Sequence, residues 1–157
     1  MRIPVRPETR LRPAPAPDYA RVRAATEALA APLSAEDAQV QSMPDASPAK
    51  WHLAHVTWFF ETFVLERFEP GFRAFDERFR VLFNSYYVGV GARHPRPQRG
   101  LVTVPDLATV RRFRAQVDER MATLIERCAG DPAFDAHVTL GLQHEQQHQE
   151  LLLTDIK

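Results

Sequence analysis

The sequence predicts an all-α protein built as an antiparallel four-helix bundle, and three observations carry that expectation. Four long segments place apolar residues at helical spacing between recognisable start and stop signals. No run alternates apolar and polar residues as a half-buried strand would. One stretch between the second and third segments, from about Glu69 to Val104, is rich in aromatics, Gly, Pro and Arg and keeps no period, so it reads as a long irregular connection.

The first 17 residues contain Pro4, Pro7, Pro13, Pro15 and Pro17, each removing a backbone donor and fixing φ, and are expected to form an extended arm. The bundle domain is expected to span residues 18–157. Helix one comes next as DYARVRAATEALAAPL, with Asp18 as its N-cap. Ser34 and Asp37 have capping-box spacing for a short helical turn, and Pro44 and Pro48 punctuate the stretch between that turn and the second helix. Ser47 and Pro48 make a cap-plus-proline start for helix two, SPAKWHLAHVTWFFETFVLERF. Helix three carries Leu107, Val110, Val117, Met121, Leu124 and Ile125 on or near one stripe and ends at Gly130. Asp131 and Pro132 open helix four, in which Gly141 is the one weak point.

Composition narrows the function. Lys plus Arg equals Asp plus Glu at 20 each, which removes the positive field that nonspecific nucleic-acid binding needs. No apolar stretch is long enough to span a membrane, and the basic N-terminus has Pro and Arg where an export signal has its apolar run. Cys128 is the single cysteine, so neither an internal disulfide nor a multi-thiolate zinc site can form, and a reducing cytoplasm is the expected setting.

The chemistry concentrates in HEQQHQELLLTDIK, where His144 and His148 stand four apart and share a helical face, with Cβ atoms roughly 6 Å apart. Both rings can then bind one metal ion, although an arbitrary pair at this spacing is more often two surface histidines. A third ligand is required. His52 and His55 in KWHLAHVTWFF are the candidates, because in such apolar company an imidazole is expected to be neutral and either hydrogen-bonded or metal-bound. The segment also satisfies His-Glu-x-x-His, the zinc-protease pattern with Glu145 as base, but nothing here reads as the sheet edge that holds a peptide across such a zinc. His94 and His137 are assigned structural or surface roles.

Three separated stretches, MPDASPAKWHLAHVTWFFETFVL, FNSYYVGVGARHPRPQRG and LGLQHEQQHQELLLTDIK, resemble the N-terminal DinB-like domain of the iron-dependent sulfoxide synthases of ergothioneine biosynthesis. The resemblance covers roughly residues 18–157 and implies mononuclear iron(II) held by His55, His144 and His148. His55 is preferred to His52 because the family holds its ligand at the end of Leu-Ala-His. The family joins hercynine to cysteine or γ-glutamylcysteine with O₂, leaving a sulfoxide. Arg96 and Arg99 match its loop arginines for substrate carboxylates, with Arg93 a weaker third, and Gln147 resembles a residue on the hercynine side.

Family enzymes also carry a second domain resembling the formylglycine-generating enzyme, which supplies much of the pocket and a proton-donating tyrosine. That domain is absent from this chain, so the piece alone is expected to bind metal and turn over poorly, and neither Tyr86 nor Tyr87 takes the tyrosine's place. Related ovothiol or selenoneine synthases, a metal-holding DinB-like module and a thiol-dependent transferase are the alternatives.

Overall fold

The computed structural model describes residues 16–156, and the Pro-rich arm expected at the N-terminus falls almost wholly outside them. Four long helices make the bundle: α1 (Ala16–Ala30), α2 (Ala49–Phe60), α3 (Leu107–Arg127) and α4 (Pro132–Asp155). A π-helical turn, Glu61–Leu65, and a last helical turn, Glu66–Phe68, extend α2. Among the described residues there is no strand, and no helix is long and apolar enough to cross a membrane.

Local signals explain most of the boundaries. Asp131 caps α4 by accepting from the N–H groups of Ala133 and Phe134, and Asp106 caps α3 by accepting from Thr109 N–H. Ser34 and Asp37 form the reciprocal capping box, each side chain accepting from the other's N–H at 3.0 Å. Gly130 ends the turn after α3 at φ +86°, a conformation that a Cβ would oppose. Two expected caps are corrected. Ala16 and Pro17 are already helical, so Asp18 lies within α1, where it pairs with Arg21. Ser47 does not cap α2, because its N–H donates to Asp155 Oδ2 and its hydroxyl accepts from Arg99 instead.

Residue pairs along the interfaces give the helix directions. His52 meets His148 and Asp155, His55 meets His144, and a Cβ at Gly141 would meet Phe60, so α2 and α4 run antiparallel. Tyr19 packs on Phe60 and Arg23 donates to Thr57, which sets α1 antiparallel to α2 and therefore parallel to α4. Lys50 donates to Val102 O, Arg114 to Thr57 and Leu53 O, and Arg120 lies 3.8 Å from Glu61, so α2 and α3 run parallel. The bundle is up-down-down-up, with α2 packed between α3 and α4.

This order accounts for the long connection. With α2 and α3 parallel, the chain leaving Phe68 must travel back the length of α2 and its extension, roughly 30 Å at about 1.5 Å per residue, before α3 can begin. On the way it is tied down by buried polar groups: Trp51 Nε1 donates to Leu82 O, Asn84 Nδ2 reaches the carbonyls of Tyr87, Gly91 and Ala92, and Gln41 bonds Arg96 O and Gly100 N–H. Gly91, at φ +128°, makes the bend that Asn84 closes. The returning segment thereby passes the start of α2, where the histidines lie.

Candidate metal centre

Every residue of α2 from Ala49 to Phe60 is buried, so both of its histidines face protein and water reaches neither freely. His55, 1% exposed, lies between the planes of Trp51 and Trp58, with ring centroids 4.5 Å and 5.4 Å away at 15° and 16°. These tryptophans stand four residues before and three after it, one turn along the same helical stripe. From α4, His144 stacks on Phe59 at 4.6 Å, and its centroid is 4.9 Å from that of His55. His148 lies one turn on, 4.6 Å from both.

One ligand atom each from His55, His144 and His148 falls within 4.8 Å of the others, a group that could hold a metal ion. Burial keeps all three rings neutral. It pushes His144 down to about 4 and, with the neighbouring His144 and His52, takes His148 to about 2, while His55 falls well below its ordinary 6.5. Lone pairs are thus free for coordination at neutral pH.

The hydrogen bonds say which lone pairs. His55 Nδ1 is 2.6 Å from the carbonyl oxygen of Phe83, an acceptor only, so Nδ1 carries the proton and Nε2 is bare. That bare Nε2 faces His144 Nε2 at 3.2 Å, and two imidazole nitrogens at this separation need a proton or a cation between them. His144 Nδ1 is buried without a hydrogen-bond partner among the described residues. Three neutral imidazole donors suit iron(II), cobalt, nickel or zinc, and leave positions open for further ligands. The residues present fit a metal.

His52 is also buried, yet it stands aside from this convergence: its Nδ1 lies 2.9 Å from His148 Nδ1 and its Nε2 2.9 Å from Asp155 Oδ2. Glu145 points the other way. It is 0% exposed, accepts from Arg23 Nη1 at 2.9 Å and Thr26 Oγ1 at 2.7 Å, and lies 3.3 Å from Arg114 Nη2. Burial alone would raise its carboxyl, but Arg23 and Arg114 outweigh that and hold it below the ordinary value. A carboxylate so enclosed on the far side of α4 cannot serve as a base at the histidines, and the protease pattern is incidental.

Of the other candidates, Arg99 reaches the cluster through Trp51, whose ring stacks on His55. Arg99, 4% exposed, sits 3.5 Å over the Trp51 ring and donates to the hydroxyls of Ser47 and Ser85, with its Nε buried and unpaired. Burial and the charge of Arg96 lower it to about 10. Arg96 donates to the Tyr86 hydroxyl and Arg93 to Ser85 O. Among the described residues none of these three arginines has a carboxylate within ion-pair distance. Gln147 is exposed on α4. His94 bonds Gln98 O and His137 bonds Ala133 O, both away from the cluster. Of the leucine run only Leu152 enters the core. Leu151 and Leu153 are 36% and 44% exposed, because successive helical residues differ by about 100° in direction.

Sequence reasoning passed over Asp155 and the carbonyl of Phe83. Asp155 had a signal: seven residues beyond His148, it lies two turns along the same face. Phe83 had none, since a backbone carbonyl has no residue type.

Compared with curated proteins, the chain finds no match. The profile of the DinB superfamily, by contrast, matches residues 18–152, running from α1 through all three α4 histidines to the core residue Leu152. On that match, covering most of the sequence and the whole of the histidine cluster, the chain belongs to the DinB superfamily.

Proposed function

We propose that this domain is the iron-binding part of an O₂-dependent sulfoxide synthase of the ergothioneine type, joining hercynine to cysteine or γ-glutamylcysteine. The observation that carries the reading is the convergence of three neutral imidazoles, with Arg99 over the Trp51 ring that stacks on His55, and with Arg93, Arg96 and Arg99 free of ion-pairing carboxylates among the described residues. Iron(II) held by His55, His144 and His148 would supply redox chemistry and open positions for O₂ and a thiol. The chain's own residues do the rest. Arg96, with Arg93 beside it and the unpaired Nε of Arg99 behind, presents positive charge to the carboxylates of the thiol substrate. Phe59, Phe63 and Tyr87 pack together next to His144, and such ring faces attract a quaternary ammonium like that of hercynine. Gln147, exposed on the same helix, contacts that substrate. Trp51, Trp58 and Phe59 keep the ligand rings dry and oriented. The proton-donating tyrosine comes from a second domain resembling the formylglycine-generating enzyme.

The test has two arms. Anaerobic titration of iron(II) into the chain is expected to saturate at one equivalent, and the domain joined to such a second domain is expected to take up oxygen only with hercynine and thiol both present. Tight zinc binding with no iron-dependent oxygen uptake would support the other reading, a metal-holding module or thiol-dependent transferase, which three imidazole donors serve equally well. Uptake with histidine in place of hercynine would assign an ovothiol-type synthase.

A further inference from the structure

His52 is the buried titratable group that the ligand set leaves unused, and it connects two other groups. On one side its Nδ1 faces Nδ1 of His148 at 2.9 Å, and on the other its Nε2 faces Oδ2 of Asp155 at 2.9 Å. The same Asp155 oxygen accepts the N–H of Ser47 at 2.8 Å, which pins the carboxylate to the start of α2. His52 is 2% exposed and the Asp155 side chain 8%, so water does not compete for these bonds.

The carboxylate end sets the direction of every bond in this relay. A carboxylate only accepts, so His52 Nε2 must carry the proton. An imidazole with one proton then has a bare Nδ1, which can only accept. His148 Nδ1 must therefore be the donor, and His148 Nε2 is left as a lone pair on the ring's opposite edge. In the reverse tautomer His148 would hold its proton on Nε2 and could not coordinate through it. We propose that Asp155 and His52 form a hydrogen-bonded relay that holds His148 as the Nδ1–H tautomer, presenting Nε2 to the metal.

His52 is then a positioning residue, and the three ligands are held in three ways: His55 by a backbone carbonyl, His148 by the histidine–carboxylate relay, and His144 by ring contacts with Phe59 and Tyr87. The relay also ties the site to the bundle's register, because Asp155 closes α4 while Ser47 and His52 belong to the opening of α2. The inference rests on the metal-site reading above, and its test separates the two. Nitrogen-15 NMR of the metal-free chain reports the His148 tautomer directly. Cobalt(II) titration, read by its visible absorption, reports ligation in the wild type and in three variants. His52→Asn keeps an oxygen acceptor where Nδ1 stands. His52→Phe keeps bulk without an acceptor. Asp155→Asn offers an amide N–H that lets the relay reverse.

The expected results are a His148 Nδ1–H signal in the wild type and cobalt(II) affinity weakened roughly 10- to 100-fold in His52→Phe and Asp155→Asn, as for other partners of metal-bound histidines. His52→Asn should stay within about threefold of the wild type, since it retains the acceptor. A His148 proton found on Nε2 overturns the relay. So does His52→Asn binding as weakly as His52→Phe, or wild-type affinity in both His52→Phe and Asp155→Asn. If the wild type binds no cobalt, the metal reading fails and the tautomer measurement still decides the relay.

Discussion

His55 donates from Nδ1 to the carbonyl oxygen of Phe83 at 2.6 Å, and this bond turns its other nitrogen toward His144 on the facing helix. The donor sits on α2 and the acceptor on the segment returning toward α3, so the long connection orients a histidine of the cluster that it does not itself supply. His55→Ala removes a nitrogen from the cluster and is expected to abolish stoichiometric cobalt(II) uptake. Equilibrium dialysis of folded protein checks this, and uptake equal to the wild type would remove His55 from the site.

Glu145 ties α4 to α1 and α3 through Arg23, Thr26 and Arg114 in a fully buried group. Replacing it with Gln takes one counter-charge from each of two guanidinium groups, which keep only the part-exposed Asp118 and Glu27, a change that typically costs about 1.5–3 kcal/mol. Urea denaturation of Glu145→Gln should show that loss. Metal stoichiometry in the surviving folded fraction should be unchanged, because Glu145 faces away from the histidines.

Gly141 lies where α4 packs on the end of α2, and a Cβ there would stand 2.6 Å from Phe60 Cε1 and 3.2 Å from Phe59 Cε1. Helix propensity favours Gly141→Ala by about 1 kcal/mol, but overpacking a dense core typically costs about 1–3 kcal/mol. The clash wins because Phe60 is fully buried and has nowhere to move. A lower melting temperature is expected, together with weaker cobalt(II) binding as Phe59 is displaced from His144.

Glu61 has a side chain only 5% exposed, and burial pushes its carboxyl up to about 7 despite the N–H of Phe75 and the nearby Arg120. A carboxyl raised in the folded state contributes stability that is whole below its ordinary 4.5 and is lost as pH rises through about 7. Relative to Glu61→Gln, the wild type should therefore lose stability across that window, by on the order of 3 kcal/mol. Urea midpoints of the two proteins at pH 5 and pH 8 give the comparison. A difference that stays constant with pH would contradict it.

Much of the fold is legible in the residues themselves. The reciprocal bonds of Ser34 and Asp37 and the cap at Asp131 are local chemistry, in which a side chain reaches backbone two or three residues away, and the stop at Gly130 is equally local, a positive φ that glycine adopts freely. Ser47 misled for an instructive reason. Its type and position suit a cap, but a buried carboxylate and a guanidinium lie close enough to claim both of its polar groups. Gly141 looked like a weak point in a helix, and its meaning appears only when the ring of Phe60 is placed against it. Likewise the helical spacing showed that α2 and α3 exist, but their parallel course appears only in long-range pairs such as Thr57 with Arg114 and Glu61 with Arg120.

From the order of residues alone, His144 and His148 share a helical face and His55 sits in an apolar helix, because periodicity sets the angular phase of each residue about its own axis. It took the packed bundle to show that α2 runs antiparallel to α4, that His52 bonds to His148 and Asp155 while His55 joins the cluster, and that Glu145 turns away into α1 and α3. The rotation and order of helices are set by how side chains from distant parts of the chain fill one another's space, and no single segment carries that information.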